Sequence, residues 1–307
     1  MKMMKTALMP EDLLEQKEFI EDYLKNGQHV LSTFSFVSLF IWKEFFKFRL
    51  EIIDGNLCLF AGNALGWFLY LPPLGKKIFP STIEKCFQMM ESENLGSGVS
   101  RIENVSLAHL HLFPEGKYDR YKKAYEYCYF KKDIINLKGK PFKSQRSSYN
   151  QFTRNYRGEY LAYEESMREE CLKLYDEWAK HRATKYSDEI YLQMLKENRD
   201  VLDLSLEFYS QLGLIGSVVT VDERIEAFSL GYPINGKIFC VLFEITNLLI
   251  PGLAVYIFRK FCCDLKLNQF KFINVMDDFG VENIAKTKLS FQPALLFPSH
   301  VITKRSL

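Results

Sequence analysis

"IGSVVTVDERIEAFSLGYPINGKIFCVLFEIT", Ile215 to Thr246, reads as three short strands turned at Asp222–Arg224 and at Asn235–Gly236. β-branched and aromatic residues fill the runs, and the breaks hold residues that tolerate the left-handed backbone of tight hairpins. The third run, KIFCVLF, is apolar at successive positions, so it reads as a central strand covered on both faces. Helices are expected upstream across Ser166–Lys185 and Asp188–Leu212, and downstream across Gly252–Leu265, followed by a strand at Phe270–Asn274. The same order occurs earlier. Helices near Pro10–Lys25 and Phe34–Phe46 precede "FKFRLEIIDGNLCLFAGNALGWFLYLP", a meander from Phe46 to Pro72 with turns at Asp54–Gly55 and Gly62–Asn63. A helix at Pro80–Glu93 and strands at Arg101–Val105 and Tyr125–Lys131 follow. Two passes through one succession of elements predict an α+β chain of two similar domains, 1–136 and 137–307, each a mixed, mainly antiparallel sheet flanked by helices.

Composition sets outer bounds. The chain has 307 residues, is 48% hydrophobic and carries a net charge of +2, which suits packed cores and argues against wholesale coating of nucleic acid. Seven scattered cysteines without C-x-x-C spacing suggest neither a disulfide framework nor a zinc site, and a reducing cytoplasm fits them. The start, "MKMMKTALMPEDLLEQ", is too short in apolar residues for a signal peptide. Leu31–Ile41 is too short for a membrane span, and Ile238–Phe258 is broken by Glu244, Asn247 and Pro251–Gly252, so no transmembrane segment is expected.

A local charge cluster stands out against that balance. "KGKPFKSQRSSYNQFTRNYR", Lys138 to Arg157, has six basic residues and no acid. On a helix beginning at Pro141, Lys140, Lys143, Arg146, Asn150, Arg154 and Arg157 fall within roughly 120°. Phe142, Tyr149, Phe152 and Tyr156 share an adjacent arc of about 80°. The aromatic arc is expected to anchor the helix, and the basic arc to face outward either as a solvated surface or as an anion-binding one.

The order of elements is that of the GNAT acyltransferase fold, and two in tandem resemble the GNAT-like enzymes that take aminoacyl groups from tRNA. "DIINLKGKPFKSQRSSYNQF" resembles a signature of the phosphatidylglycerol lysyltransferase C-terminal domain family through Lys138, Gly139, Lys140, Phe142, Arg146, Asn150 and Phe152. "FINVMDDFGVENIAKTKLSFQP" is similar to its C-terminal signature through Asn274, Asp278, Gly280, Lys288, Ser290 and Pro293, and "SFVSLFIWKEFFKFRLEIIDGNLCLF" to its N-terminal domain. The resemblance implies a bacterial, cytoplasmic transferase moving an aminoacyl or acyl group onto an amine or hydroxyl of a small-molecule, peptide or lipid acceptor. It also implies tRNA as a partner, with Lys140, Lys143, Arg146, Asn150, Arg154 and Arg157 on its phosphates. An acyl-CoA-dependent GNAT would cradle the pyrophosphate in a Gly-rich turn before the helix that follows the fourth strand; here that turn reads ITNLLIPGLA, with one glycine beside a proline. No tightly bound cofactor is expected, and aminoacyl-tRNA ranks above CoA as donor. Two alternatives stay open: an acyl-CoA-dependent N-acyltransferase, and a non-catalytic module whose basic helix binds RNA or an anionic surface.

Acyl transfer needs a general base near the acceptor and donors around the developing oxyanion. Glu244, near the carboxyl end of a central strand, is the candidate base; its alternative is a structural Glu paired with a buried Arg or Lys. Asn274, Asp277 and Asp278 end the next strand and either position the acceptor or simply turn the chain, with Asp278 capping a helix from Phe279. Lys288 and Ser290 are candidates for phosphate or oxyanion contact, or ordinary surface residues. His109 and His111 would share one face of a strand, but no third ligand accompanies them, so no metal is expected.

Overall fold

Apolar alternation and left-handed turns shape the first half of the chain, of which a computed structural model describes residues 10–95, with 98–185 and 188–305 following. The N-terminal stretch considered for export lies outside the described residues up to Met9. Helices α1 (Pro10–Glu15), α2 (Lys17–Leu24) and α3 (Phe36–Ile41) are shorter than expected. The Ser35 hydroxyl sets the start of α3 by accepting from the Ser38 amide at 3.1 Å. Strands β1 (Lys47–Ile53), β2 (Asn56–Asn63) and β3 (Gly66–Leu69) form the first meander. Asp54 and Gly55 both take positive φ, 51° and 78°, as a two-residue hairpin turn of matching twist requires. The second turn lies at Ala64–Leu65, beyond the expected Gly62–Asn63, because Asn63 still pairs with Gly66. Helix α4 (Pro80–Asn94) crosses over to β4 (Arg101–Ser106), which lies parallel to β3. His109 and His111 sit in a 3₁₀ turn, Leu107–Leu112, and not on a strand, so their rings do not line one strand face.

Strand β5 (Tyr118–Phe130) is much longer than predicted. After it come α5 (Lys131–Asn136), α6 (Lys143–Asn155), β6 (Gly158–Ala162), α7 (Arg168–Ala183), α8 (Glu189–Glu207) and α9 (Tyr209–Leu212). The quoted stretch folds as read, into β7 (Ile215–Val221), β8 (Arg224–Pro233) and β9 (Ile238–Thr246). Helix α10 (Leu253–Cys262) crosses to β10 (Phe272–Asn274), parallel to β9. The chain ends with α11 (Glu282–Ser290) and β11 (Leu295–Lys304). The helix expected from Phe279 begins only at Glu282.

Two compact units result. The first comprises residues 1–126, 277–280 and 296–307, the second 127–276 and 281–295. The division therefore falls inside β5, between Glu126 and Tyr127, and not at residue 136. In the first unit β1, β2 and β3 are antiparallel neighbours, β4 is parallel to β3, and β11 is antiparallel to β4. In the second, β6, β7, β8 and β9 are antiparallel neighbours, β10 is parallel to β9, and the end of β5 is antiparallel to β10. Each sheet is thus a meander, a helical crossover to a parallel strand, and an antiparallel strand drawn from the other half of the chain. Such a closing strand cannot be assigned from local sequence, which carries no record of its pairing partner.

Candidate functional site

The second unit buries its core between β7–β9 and the helix pair α6–α10. Phe152 of α6 is 1% exposed and packs, with its ring tilted, against Tyr256 of α10 at 4.4 Å between ring centres. Tyr149 stacks on Tyr256 at 5.5 Å, and the Arg259 guanidinium lies over the Tyr149 ring at 4.5 Å from its centre. The aromatic arc of the basic tract is therefore its anchor. Gly252, with φ +83°, lets α10 begin directly against α6: a Cβ there would run into the Ser148 carbonyl oxygen and lie 3.2 Å from Phe152 Cβ. The amino end of α10, where a pyrophosphate would need backbone N–H groups, is packed against the protein's own helix.

The basic residues divide by role. The α-helix spans only Lys143–Asn155; Lys140 belongs to a preceding 3₁₀ turn and Arg157 follows the helix, so the wheel held for the middle of the tract and not its ends. Lys140, Lys143, Asn150, Arg154 and Arg157 are exposed, and among the described residues none of the four cations has an acidic partner. Lys143, Arg146, Asn150 and Arg154 line an open depression of ≈ 570 Å³. Arg146 is half-buried, and its Nη1 donates to the Leu137 and Gly139 carbonyls, the latter at 2.7 Å. That arginine closes the turn carrying Lys138–Lys140.

Glu244 occupies β9 two residues before its end. Leu230 pairs with Phe243 and Gly231 with Val241, so Leu242 is the extra residue of a β-bulge that interrupts the ladder just before Glu244. Directly across β8 stands Ser229, and across β7 from it Ser217. Paired residues share a sheet face, and Ala227 and Val219, each two residues along on that face, pack under α10. Glu244 therefore points toward α10, within electrostatic reach of Tyr129 and Cys262. Burial, followed by the nearby Glu244 charge, pushes both of those groups up and keeps them neutral. Glu244 is half-buried among apolar groups, and desolvation pushes its carboxyl up to about 8. Among the described residues it has no ion pair, so the structural-salt-bridge alternative has no partner to supply it.

The remaining candidates have contacts of their own. Asn274, fully buried, sits opposite Cys240 on β9, four residues short of Glu244, and its Oδ1 accepts from the Met276 amide at 2.7 Å. Asp277 and Asp278 belong to the first unit, where their carboxylates accept from the Phe279 and Gly280 amides at 3.0 and 2.9 Å. They turn the chain, and α11 begins beyond them without a side-chain cap. Lys288 Nζ donates to the Val275 carbonyl at 2.6 Å, and the Tyr129 hydroxyl donates to the Lys288 carbonyl at 2.8 Å. The Ser290 hydroxyl donates to the Thr287 carbonyl, and its own carbonyl accepts from buried Gln145 of α6 at 2.7 Å. These contacts moor α11 to α6 and β5. Sequence reading missed Tyr129, Ser217 and Ser229, each of which looks locally like ordinary strand; only register brings them to Glu244. Among the described residues no three His, Cys, Asp or Glu side chains gather as a metal site, and no helix is long and apolar enough to cross a membrane.

A meander, a helical crossover and a parallel fourth strand, built twice in one chain, define a tandem GNAT-like protein. The chain belongs to the phosphatidylglycerol lysyltransferase C-terminal family, whose model matches residues 26–299. No curated protein matches it. Among solved structures it is similar to a conserved protein of unknown function from Bacteroides thetaiotaomicron, with a TM-score of 0.86 at 22% identity over 99% of this chain and 100% of that one. It is also similar to L-PGS from Bacillus licheniformis, with a TM-score of 0.66 at 17% identity over 100% and 96% of the two chains. FemX matches with a TM-score of 0.58 at 8% identity over 96% and 97%. At such identities the likeness fixes the fold alone.

Proposed function

We propose that this chain is a cytoplasmic aminoacyltransferase that takes an aminoacyl group from aminoacyl-tRNA and passes it to an amine or hydroxyl acceptor, with Glu244 as general base. The observation that carries the reading is Glu244 itself: a half-buried carboxyl without an ion pair among the described residues, beside a bulge in a central strand and near the neutral groups of Tyr129, Ser229 and Cys262. Such a group accepts a proton near neutral pH far more readily than an ordinary carboxylate. Lys140, Lys143, Arg154 and Arg157 supply exposed charge that no acid among the described residues pairs, suited to phosphates, and aminoacyl-tRNA offers a row of them. The packing of Gly252 against Ser148, together with Pro251, which lacks an N–H, weighs against acetyl-CoA as donor. The acceptor is a small molecule, a peptide or a lipid headgroup.

Calorimetric titration of the full chain with CoA and with charged tRNA at low salt separates the donors. Tight tRNA binding with no CoA binding is expected, and micromolar CoA binding without tRNA binding would reverse the ranking. The basic face also favours a second reading, a non-catalytic RNA-binding module. In that case tRNA binds but no aminoacyl group leaves it in the presence of any acceptor tested.

A further inference from the structure

Strand β1 lies at the end of its sheet and pairs with β2 alone. Which of its backbone groups that pairing uses follows from the turn. Asp54 and Gly55 form a two-residue hairpin, so the flanking pair Ile53 and Asn56 exchanges both hydrogen bonds. Counting back in twos, Glu51, Arg49 and Lys47 also bond to β2, whereas Ile52, Leu50 and Phe48 turn their N–H and C=O away from it. Leu57 of β2 gives an independent check. It stands opposite Ile52 and points its own groups away from β1, exchanging both bonds with Leu74 at 2.9 and 2.8 Å. Among the described residues nothing takes up the outward groups of Phe48, Leu50 and Ile52.

An exposed strand edge is ordinarily blunted by a proline, a bulge or a very short length. β1 has seven residues, no proline and an unbroken register. Phe48, Leu50 and Ile52 share one face, with the Phe48 ring buried against Tyr70 at 5.4 Å, Leu50 half-buried and Ile52 42% exposed. Lys47, Arg49, Glu51 and Ile53 share the other, where Arg49 meets Glu93 of α4.

Read as Lys-Phe-Arg-Leu-Glu-Ile-Ile, the strand is complementary to itself when reversed about Leu50. Leu50 then meets Leu50 and Phe48 meets Ile52, while Glu51, 3.7 Å from Arg49 Nε in its own chain, also stands opposite Arg49 of the second copy. Lys47 falls opposite Ile53, beside an open depression of ≈ 390 Å³ that Ile53 lines with Met89 and Ser92. In this register every outward N–H of β1 faces an outward C=O. Moving the centre to Arg49 or to Glu51 sets two like charges directly against each other.

We infer that β1 is a self-association surface, on which two copies of this chain pair their β1 strands antiparallel about a two-fold axis at Leu50 and continue one sheet into the other. Main-chain hydrogen bonds hold the contact together, and the placing of Arg49 and Glu51 fixes its register.

Sedimentation velocity of the full chain over a range of concentrations tests the pairing, and cysteine cross-linking tests the register. A reversible dimer of the 36.1 kDa chain is expected. Glu51→Lys, which sets a like charge against Arg49, should raise its dissociation constant about tenfold or more. Ile52→Lys should do the same from an exposed site, and it guards against misfolding of the first variant through loss of the Arg49 contact. In a Cys263→Ser background, which removes an exposed thiol, Leu50→Cys should give a disulfide-linked dimer under mild oxidation, because hydrogen-bonded partners on the two-fold stand about 5.5 Å apart. Ile52→Cys should not, since the same register holds the two copies of that position roughly 14 Å apart. A chain that stays monomeric, a dimer indifferent to both lysine variants, or linkage through Ile52→Cys in preference to Leu50→Cys overturns the inference. A monomer carrying a foreign peptide, seen by mass spectrometry, overturns it too and gives the edge to another chain.

Discussion

The two meanders share a topology and differ in what crosses them. In the first unit the row Phe48–Ala61–Phe68 is apolar, and the buried charge beside it, Arg49, is neutralised by Glu93 at 2.8 Å and lies over the rings of Phe60 and Trp67 at 5.0 and 4.7 Å. In the second unit the row Ser217–Ser229–Glu244 is polar, and its carboxyl has no ion pair among the described residues. One fold, used twice, has been filled once for stability and once with a titratable group held in an apolar setting. The chemistry follows the filling, because a charge held in an ion pair has less left to offer a substrate.

The largest effect that would sharpen this contrast is on transfer. Glu244→Gln should lower the single-turnover rate by about 10²-fold or more while leaving tRNA affinity unchanged, since the carboxylate acts on the acceptor's proton. Full activity in that variant would remove Glu244 from the mechanism. The matching change in the first unit, Glu93→Gln, should leave transfer intact but cost on the order of 2 kcal/mol in denaturant unfolding, because it leaves the buried Arg49 charge only its longer ion pair to Glu51 at 3.7 Å. Next comes the glycine at the α6–α10 junction. Gly252→Ala should destabilise by about 2–3 kcal/mol through backbone strain and collision with Ser148, against about 1 kcal/mol for Gly55→Ala, where the same left-handed backbone faces open space. Equal costs at the two sites would mean that the helices are not so closely seated.

Stability against pH offers a smaller but cleaner signature. The folded state holds the Glu244 proton up to about 8, whereas the unfolded chain releases it near the ordinary carboxyl value of 4.5. Between those limits the native state binds more protons, so stability falls as pH rises and levels off above 8. Relative to Glu244→Gln, the wild type should lose on the order of 2 kcal/mol across that window, a figure reduced from the full desolvation cost because the carboxyl keeps some solvent contact. Parallel pH profiles for the two proteins would contradict the desolvated site. The mildest expected effect belongs to the surface: Lys143→Glu with Arg154→Glu should weaken tRNA binding and flatten the slope of log affinity against log salt by about 2. An unchanged slope would remove α6 from the tRNA interface.

Sequence by itself settled the local grammar. The turns at Asp54–Gly55 and Asp222–Arg224, the crossover helices and the aromatic anchor of the basic tract were legible because each depends on residues within one or two turns of chain. The repeated succession of elements was enough to give the tandem fold, and the quoted signatures the family. Local sequence misjudged features set by distant partners. Helix ends at Lys140 and Arg157 frayed where α6 met its neighbours, the histidines of Leu107–Leu112 curled into a 3₁₀ turn, and Arg146 was drawn to the Leu137 and Gly139 carbonyls. Tertiary structure alone decided that β5 and β11 complete sheets in opposite halves of the chain, and that two unremarkable serines stand in line with Glu244. Strand register is fixed by pairing across tens of residues, and a shift of one position would turn every side chain in that row to the opposite face.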